Sequence, residues 1–270
     1  MRFNDIHVHC FFKQDRPVSV AAVLKAMDKA GLEHIVILSD YGHNLKEQKA
    51  NIIQAGKFIA EAPERLYGLA WIEPLHKTPL SLLDWAIGDL KYKGFKLIPN
   101  NWYPCDEPIL KYCARMAAMR APCLFHSGIL YFKTFSSRFC RPAYYEALLK
   151  IPHFRFALAH ISWPWTDECL ALFGQARNAK NDGYSTASMF IDITPGTPPD
   201  YRENALRHLL DFGAEDFMIY GTDFLLSEME TPQASCGAIT KELALYKKLG
   251  MSGATTEKII RRNFEKFFTG

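Results

Sequence analysis

The sequence predicts a (β/α)8 barrel with an additional C-terminal helix. Three observations carry that prediction. Short apolar runs alternate with helical patterns eight times along 270 residues. Several of these runs are apolar throughout, as expected of strands buried on both faces of a parallel sheet. An open nucleotide-binding sheet would carry a glycine-rich turn after its first strand, and here that place holds His7-Val8-His9-Cys10. Eight strand–helix units of similar length, without a linker, close most simply into one domain over 1–270.

The first strand ends in Asp5-Ile6-His7-Val8-His9. A strand has a side-chain period of two, so both imidazoles face one way. A helical pattern over Val20–Ala30 stops at Gly31, a usual terminator. Strand two is His34–Leu38, and a helix fits Glu47–Glu61. Strand three is Tyr67–Ile72, followed by a helix over Leu80–Tyr92. Strand four is Gly94–Ile98, closed by Pro99, with a helix over Pro108–Arg120. Strand five is Pro122–His126, with a short helix at Pro142–Lys150. Strand six is Phe154–His160, with a helix over Asp167–Lys180. Strand seven is Ser188–Ile193, with a helix over Tyr201–Phe212. Strand eight is Phe217–Gly221, with helices at Gln233–Leu249 and Thr255–Phe268.

A net charge of +3 gives no argument for a nucleic-acid or membrane partner. The seven cysteines are scattered, with no Cys-x-x-Cys pair, which reads as free thiols in a reducing compartment. The first strand starts at once, so no signal peptide is expected, and no apolar run is long enough for a membrane span. A cytoplasmic protein acting on a small molecule is the expectation, with a homodimer an ordinary possibility.

Barrel chemistry sits at the C-terminal ends of the strands. Strand one supplies His7 and His9 there, strand five His126, strand six His160, and strand eight Asp223. Lys96 lies inside strand four. Taken singly, each residue has a plain structural role open to it: a hydrogen-bonded histidine, an Asp that forms a turn, a lysine whose stem packs. Together, at one rim, they form a nitrogen-and-oxygen set suited to a catalytic divalent metal.

These residues also carry a resemblance. The chain resembles the amidohydrolase superfamily, and within it the group that includes aminocarboxymuconate-semialdehyde decarboxylase-like enzymes. The matching segments are His7-x-His9, Gly94-Phe95-Lys96-Leu97, Phe125-His126-Ser127-Gly128, Ala159-His160 with Pro164-Trp165 and Asp167-Glu168 after it, Tyr220-Gly221-Thr222-Asp223-Phe224, and Asn263. The chain departs from the family pattern with His160-Ile161-Ser162 in place of His-Gly-Gly, with Leu225 in place of Pro, and with Lys96-Leu97-Ile98-Pro99 in place of Lys-Leu-His-Pro.

The resemblance implies one divalent metal on His7, His9, His126 and Asp223. Zinc is the first choice, with manganese or iron as alternatives. It implies Asp223 as general base and His160 as acid/base. A two-metal variant would use a carbamylated Lys96, with His126 and His160 serving the second ion. The reaction expected is hydrolysis of an amide, ester or lactone by metal-activated water. The alternative is metal-dependent decarboxylation or hydration of an aromatic or unsaturated acid, and a binding barrel without turnover is a third reading. Lys96, Trp102, Tyr131, Arg138, Arg141 and Trp163, with Phe132 and Lys133 beside them, are read as aromatic walls and cations around a small acidic substrate. The competing reading is that these aromatics pack the loops and the cations are solvated.

Overall fold

The computed structural model describes residues 1–10, 17–131 and 135–270. Strands β1 (Phe3–His9), β2 (Leu32–Leu38), β3 (Leu66–Trp71), β4 (Gly94–Leu97), β5 (Cys123–Phe125), β6 (Arg155–Leu158), β7 (Ser188–Asp192) and β8 (Met218–Ile219) follow one another as parallel neighbours. A short ninth strand, β9 (Phe224–Leu225), pairs with β1. It follows β8 after four residues, and the segment between them stays on β1: Ile6 N donates to Tyr220 O, Asp223 N to His7 O, and Leu226 N to His9 O. β8 and β9 are therefore two halves of one strand, kinked at Asp223, and together they bring the sheet back to its start.

Helices α1 (Val20–Ala30), α2 (Leu45–Ile59), α3 (Leu80–Gly88), α4 (Glu107–Ala118), α5 (Thr166–Asn181), α6 (Pro199–Asp211) and α7 (Pro232–Lys248) cover the sheet. Their ends have local causes. Ser19 caps α1 by accepting from Ala22 N, and Gly31 ends it with φ 75°, a left-handed conformation that glycine adopts without strain. Asn44 caps α2 through Glu47 N. Among the described residues, no helix is long and apolar enough to cross a membrane.

Three elements differ from the sequence reading. Pro142–Lys150 winds as 3-10 turns, and the helix from Leu80 stops at Gly88. The last helix is split into α8 (Gly253–Glu257) and α9 (Asn263–Thr269) by a π-helical segment, Lys258–Arg262. The period-3.6 pattern does not register one wider turn.

The interior of the barrel is a small cluster with residues from most strands: Ile6, Val36, Leu69, Leu124, Ala157, Phe190 and Ile219, joined by Phe264 and Phe267 of α9. Phe264 also stacks on His34 and Tyr67, at the N-terminal halves of β2 and β3. α9 thus plugs the end of the barrel opposite the strand-end histidines. A register shift between Asp5 and Val8 places Ile6 in this inner cluster and Val8 in the larger sheet–helix core.

Two buried polar groups hold this frame. Asn263, at the start of the plug, donates to Glu215 O and to Met218 O of β8. Glu73, after β3, accepts from Leu75 N and from the Trp102 indole, and burial raises its carboxyl to about 7. Asn263→Ala leaves two carbonyls without donors, so stability should fall by about 2 kcal/mol in denaturant titration; an unchanged midpoint would show that the plug does not need it. A carboxyl raised above its ordinary value makes the fold lose stability as pH climbs from about 4.5 through about 7. Glu73→Gln copies the protonated form. It should match wild type near pH 4.5 and exceed it above pH 7, by on the order of 1–3 kcal/mol.

Candidate metal centre

Three side chains converge where β1 meets the kinked last strand. His7 Nε2 lies 3.1 Å from His9 Nε2 and 3.3 Å from Asp223 Oδ1, and His9 Nε2 lies 3.1 Å from the same oxygen. Donor atoms that share a metal at ~2.1 Å stand roughly 3.0–3.5 Å apart. The local chain explains the convergence. Asp223 takes φ 61°, unusual for a residue with a side chain. Asp5 anchors the strand beneath it, accepting from Thr222 Oγ1 at 2.6 Å, from Thr222 N and from His7 N. Burial raises the Asp5 carboxyl to about 7 against those bonds.

Asp192, at the end of β7, completes the frame. Its Oδ2 lies 2.7 Å from His7 Nδ1, and both side chains are buried. With Nδ1–H given to Asp192, the His7 Nε2 lone pair faces His9 and Asp223. A carboxylate behind a ligating histidine is the usual outer partner at metal sites. Burial first, and Lys96 second, keep His7 neutral, well below its ordinary pKa. Burial pushes the Asp223 carboxyl upward, but His7, His9 and His160 outweigh it and hold it ionised. The neutral His7 imidazole, the His9 imidazole and an ionised carboxylate form a donor set that a divalent cation fits.

His160 stands on the third side. Its Nδ1 lies 2.7 Å from Thr194 Oγ1 and 4.0 Å from Asp223 Oδ2. His160, Ile161 and Ser162 have φ of 61°, 50° and 58° in succession, a costly backbone for side-chain-bearing residues and one typical of functional sites. Gly196 closes against the ring: a Cβ there would come within 2.5 Å of His160 Cγ and Nδ1. Burial lowers the His160 pKa to about 4, so the ring is neutral.

His126 does not join the compact set. Its Nε2 lies 3.1 Å from Ile129 O, and its ring packs edge-on to His160 with centroids 5.2 Å apart. Among the described residues, His7, His9 and Asp223 are the one group of three or more whose ligand atoms, one from each, all lie within 4.8 Å of one another. Lys96 is fully buried, with Nζ 3.4 Å from His7 Nε2, and burial lowers its ammonium to about 8.

The cluster opens into a cavity of about 200 Å³ lined by His9, His126, His160 and Asp223 and walled by Trp71, Ile98, Leu130 and Trp163. Tyr131 stands at its edge, largely exposed. Four expected substrate contacts fall elsewhere. Trp102 is buried on Glu73. Arg138 lies over the Phe139 ring, and Arg141 is paired with Glu168 and lies over Trp165. Lys96 does not line the cavity. In each case a partner within the protein already takes the side chain. Phe132 and Lys133 lie outside the described residues. The sequence reading missed Asp192 and Trp71. The signal for Asp192 was a lone carboxylate in the apolar run Met189-Phe190-Ile191-Asp192-Ile193.

A family model described as Amidohydrolase matches residues 5–269. No curated protein matches the sequence. Among solved structures, a probable 2-pyrone-4,6-dicarboxylic acid hydrolase from Acinetobacter baumannii is 16% identical, with a TM-score of 0.69 and full coverage of both chains. A 2,6-dihydroxybenzoate decarboxylase from Rhizobium is 13% identical at TM-score 0.69, covering 99% of this chain and 98% of that one. A 5-carboxyvanillate decarboxylase from Novosphingobium aromaticivorans, complexed with manganese and a nitrobenzoic acid, is 11% identical at TM-score 0.70, covering 100% and 96%. At these identities the likeness is one of fold.

Proposed function

Because the chain belongs to the amidohydrolase family, whose members are enzymes, we propose that it is a hydrolase using one divalent cation held by His7, His9 and Asp223. Its substrate is a small, flat ester, lactone or amide. The observation that carries this reading is the convergence of two imidazoles and one carboxylate at the floor of a narrow aromatic cavity. Zinc or manganese suits such a mixed set. A cation bound there supplies Lewis acidity, polarising a carbonyl oxygen and lowering the pKa of water.

The chain's own residues do the rest. Asp223, held ionised, accepts a proton from the attacking water. His160, with Nδ1 occupied by Thr194, offers its other ring nitrogen to the substrate oxygen or leaving group. Trp71, Ile98, Leu130 and Trp163 orient a flat body and exclude water. Asp192 fixes the His7 tautomer.

A second reading, decarboxylation of a small aromatic or unsaturated acid, has one observation in its favour. Among the described residues no arginine or lysine lines the cavity. A carboxylate held against apolar walls loses solvation that the neutral product, carbon dioxide, does not need.

Two experiments test this. Elemental analysis of untagged protein should give one zinc or manganese per chain. The content should be near zero in His7→Ala/His9→Ala, and affinity should fall by about 10- to 100-fold in Asp192→Asn. An unchanged content in the double variant would remove the metal reading. Two ions in wild type, falling to one in Lys96→Ala, would instead make Lys96 a bridging ligand. For the reaction, a panel of lactones, esters and aromatic acids is turned over in H2(18)O and in D2O. Hydrolysis puts (18)O into the product acid. Deuterium on carbon with release of carbon dioxide would overturn hydrolysis in favour of decarboxylation.

A further inference from the structure

A second and larger cavity, of about 670 Å³, lies behind the first, between the loop after β7, β9 and helices α6 and α7. The two cavities share walls one backbone thick. Gly196 borders the metal-side cavity, while its neighbours Pro195 and Thr197 border the second. Asp223 borders the first, and Thr222 and Phe224 the second. Successive side chains of an extended chain point in opposite directions, so one segment can face two spaces.

Most of the second wall is apolar, from Pro195, Pro199, Ala234, Ala238 and Leu245. Its charged interior is an ion pair, Arg202 with Glu242, both buried. Arg202 also donates to the carbonyls of Ile193 and Thr194. Among the described residues, the donors bordering the cavity that are left over include the Tyr220 hydroxyl, the Lys241 ammonium and the Gln233 amide. The Tyr220 hydroxyl is buried and has no hydrogen-bond partner. Lys241 is exposed and makes no ion pair among the described residues. A buried hydroxyl without a partner is unfavourable, and a ligand acceptor would satisfy it. Volume, apolar walls and a few polar groups match small-molecule sites.

We propose that this cavity is a second ligand site, taking a small molecule with an apolar body and an anionic, hydrogen-bond-accepting head near Lys241 and Tyr220. Its occupant bears on the metal side through the shared walls. Arg202 holds the Thr194 carbonyl, and the Thr194 hydroxyl holds His160. Thr222 holds Asp5 beneath His7.

The test uses 8-anilinonaphthalene-1-sulfonate, an apolar anion that fluoresces when shielded from water, titrated into the full chain. One probe per chain is expected. Gly237→Phe adds bulk at a cavity-lining helix position where a Cβ meets nothing within 4 Å, and it should weaken binding by about tenfold or more. Lys241→Gln, an exposed change that leaves the core intact, should weaken it several-fold, and Trp163→Ala on the metal side should leave it unchanged. Circular dichroism checks that each variant is folded. Should Gly237→Phe fail to fold, Lys241→Gln and Trp163→Ala decide alone. Equal affinity in wild type and Lys241→Gln, loss in Trp163→Ala, or no binding by wild type would overturn the proposal. None of these readouts depends on the metal or on turnover, so this site and the proposed reaction stand or fall separately.

Discussion

The seam between β1 and the last strand is the constraint on which the rest depends. A parallel barrel must bring its final strand back to its first. Here the returning segment is too irregular to pair along its length. Asp5 supplies what the ladder lacks, taking the hydroxyl and amide of Thr222 on one side and the amide of His7 on the other. One buried carboxylate thereby fixes both chains at the point where His7, His9 and Asp223 meet. Loosening that seam would open the barrel and scatter the donor atoms in the same motion.

The site is expensive for the fold. Asp5, His7, Lys96 and Asp192 are wholly buried at the mouth of an otherwise apolar interior. Each buried charge or polar group must be matched, because an unmatched one costs several kcal/mol. The matching runs in a chain: Thr222 to Asp5, Asp5 to His7, His7 to Asp192 and to Asp223. The carboxyls of Asp5 and Asp192 are pushed up to about 7 and about 6, mainly by burial. His7 and His126 are pushed the other way, toward neutrality. Both shifts lower the charge inside the barrel, and a cation among His7, His9 and Asp223 would offset the charge that remains on Asp223. The plug of α9 closes the other end with aromatic rings and Asn263.

The barrel was legible because each strand is a short apolar run and each helix repeats every 3.6 residues. Val20–Ala30 is bounded in the sequence as it is in the structure, since Ser19 and Gly31 mark its ends chemically. His7, His9 and Asp223 could be found because they terminate their runs. Asp192 could not be found by that rule, because Ile193 continues the apolar run beyond it. Arg138, Arg141 and Trp102 lie away from the cavity for a common reason. A loop side chain is committed by whatever lies beside it in space, here Phe139, Glu168 and Glu73, all of which are remote from the rule that strand ends face a cavity. The kink that splits the last strand has no sequence signal, because Asp223 is not a glycine.

Gly196 sets a rule for redesigning this barrel. It fits against His160 with no room for even a methyl group. A library that randomised the whole cavity lining would spend much of its diversity on variants whose imidazole is displaced before any new substrate is met. Trp71, Ile98 and Leu130 line the same space from strands and loops across the mouth, away from the left-handed turn at His160. Selection for bulkier substrates should therefore accumulate changes on that side and leave position 196 fixed, so that evolvability is unequal around a single cavity.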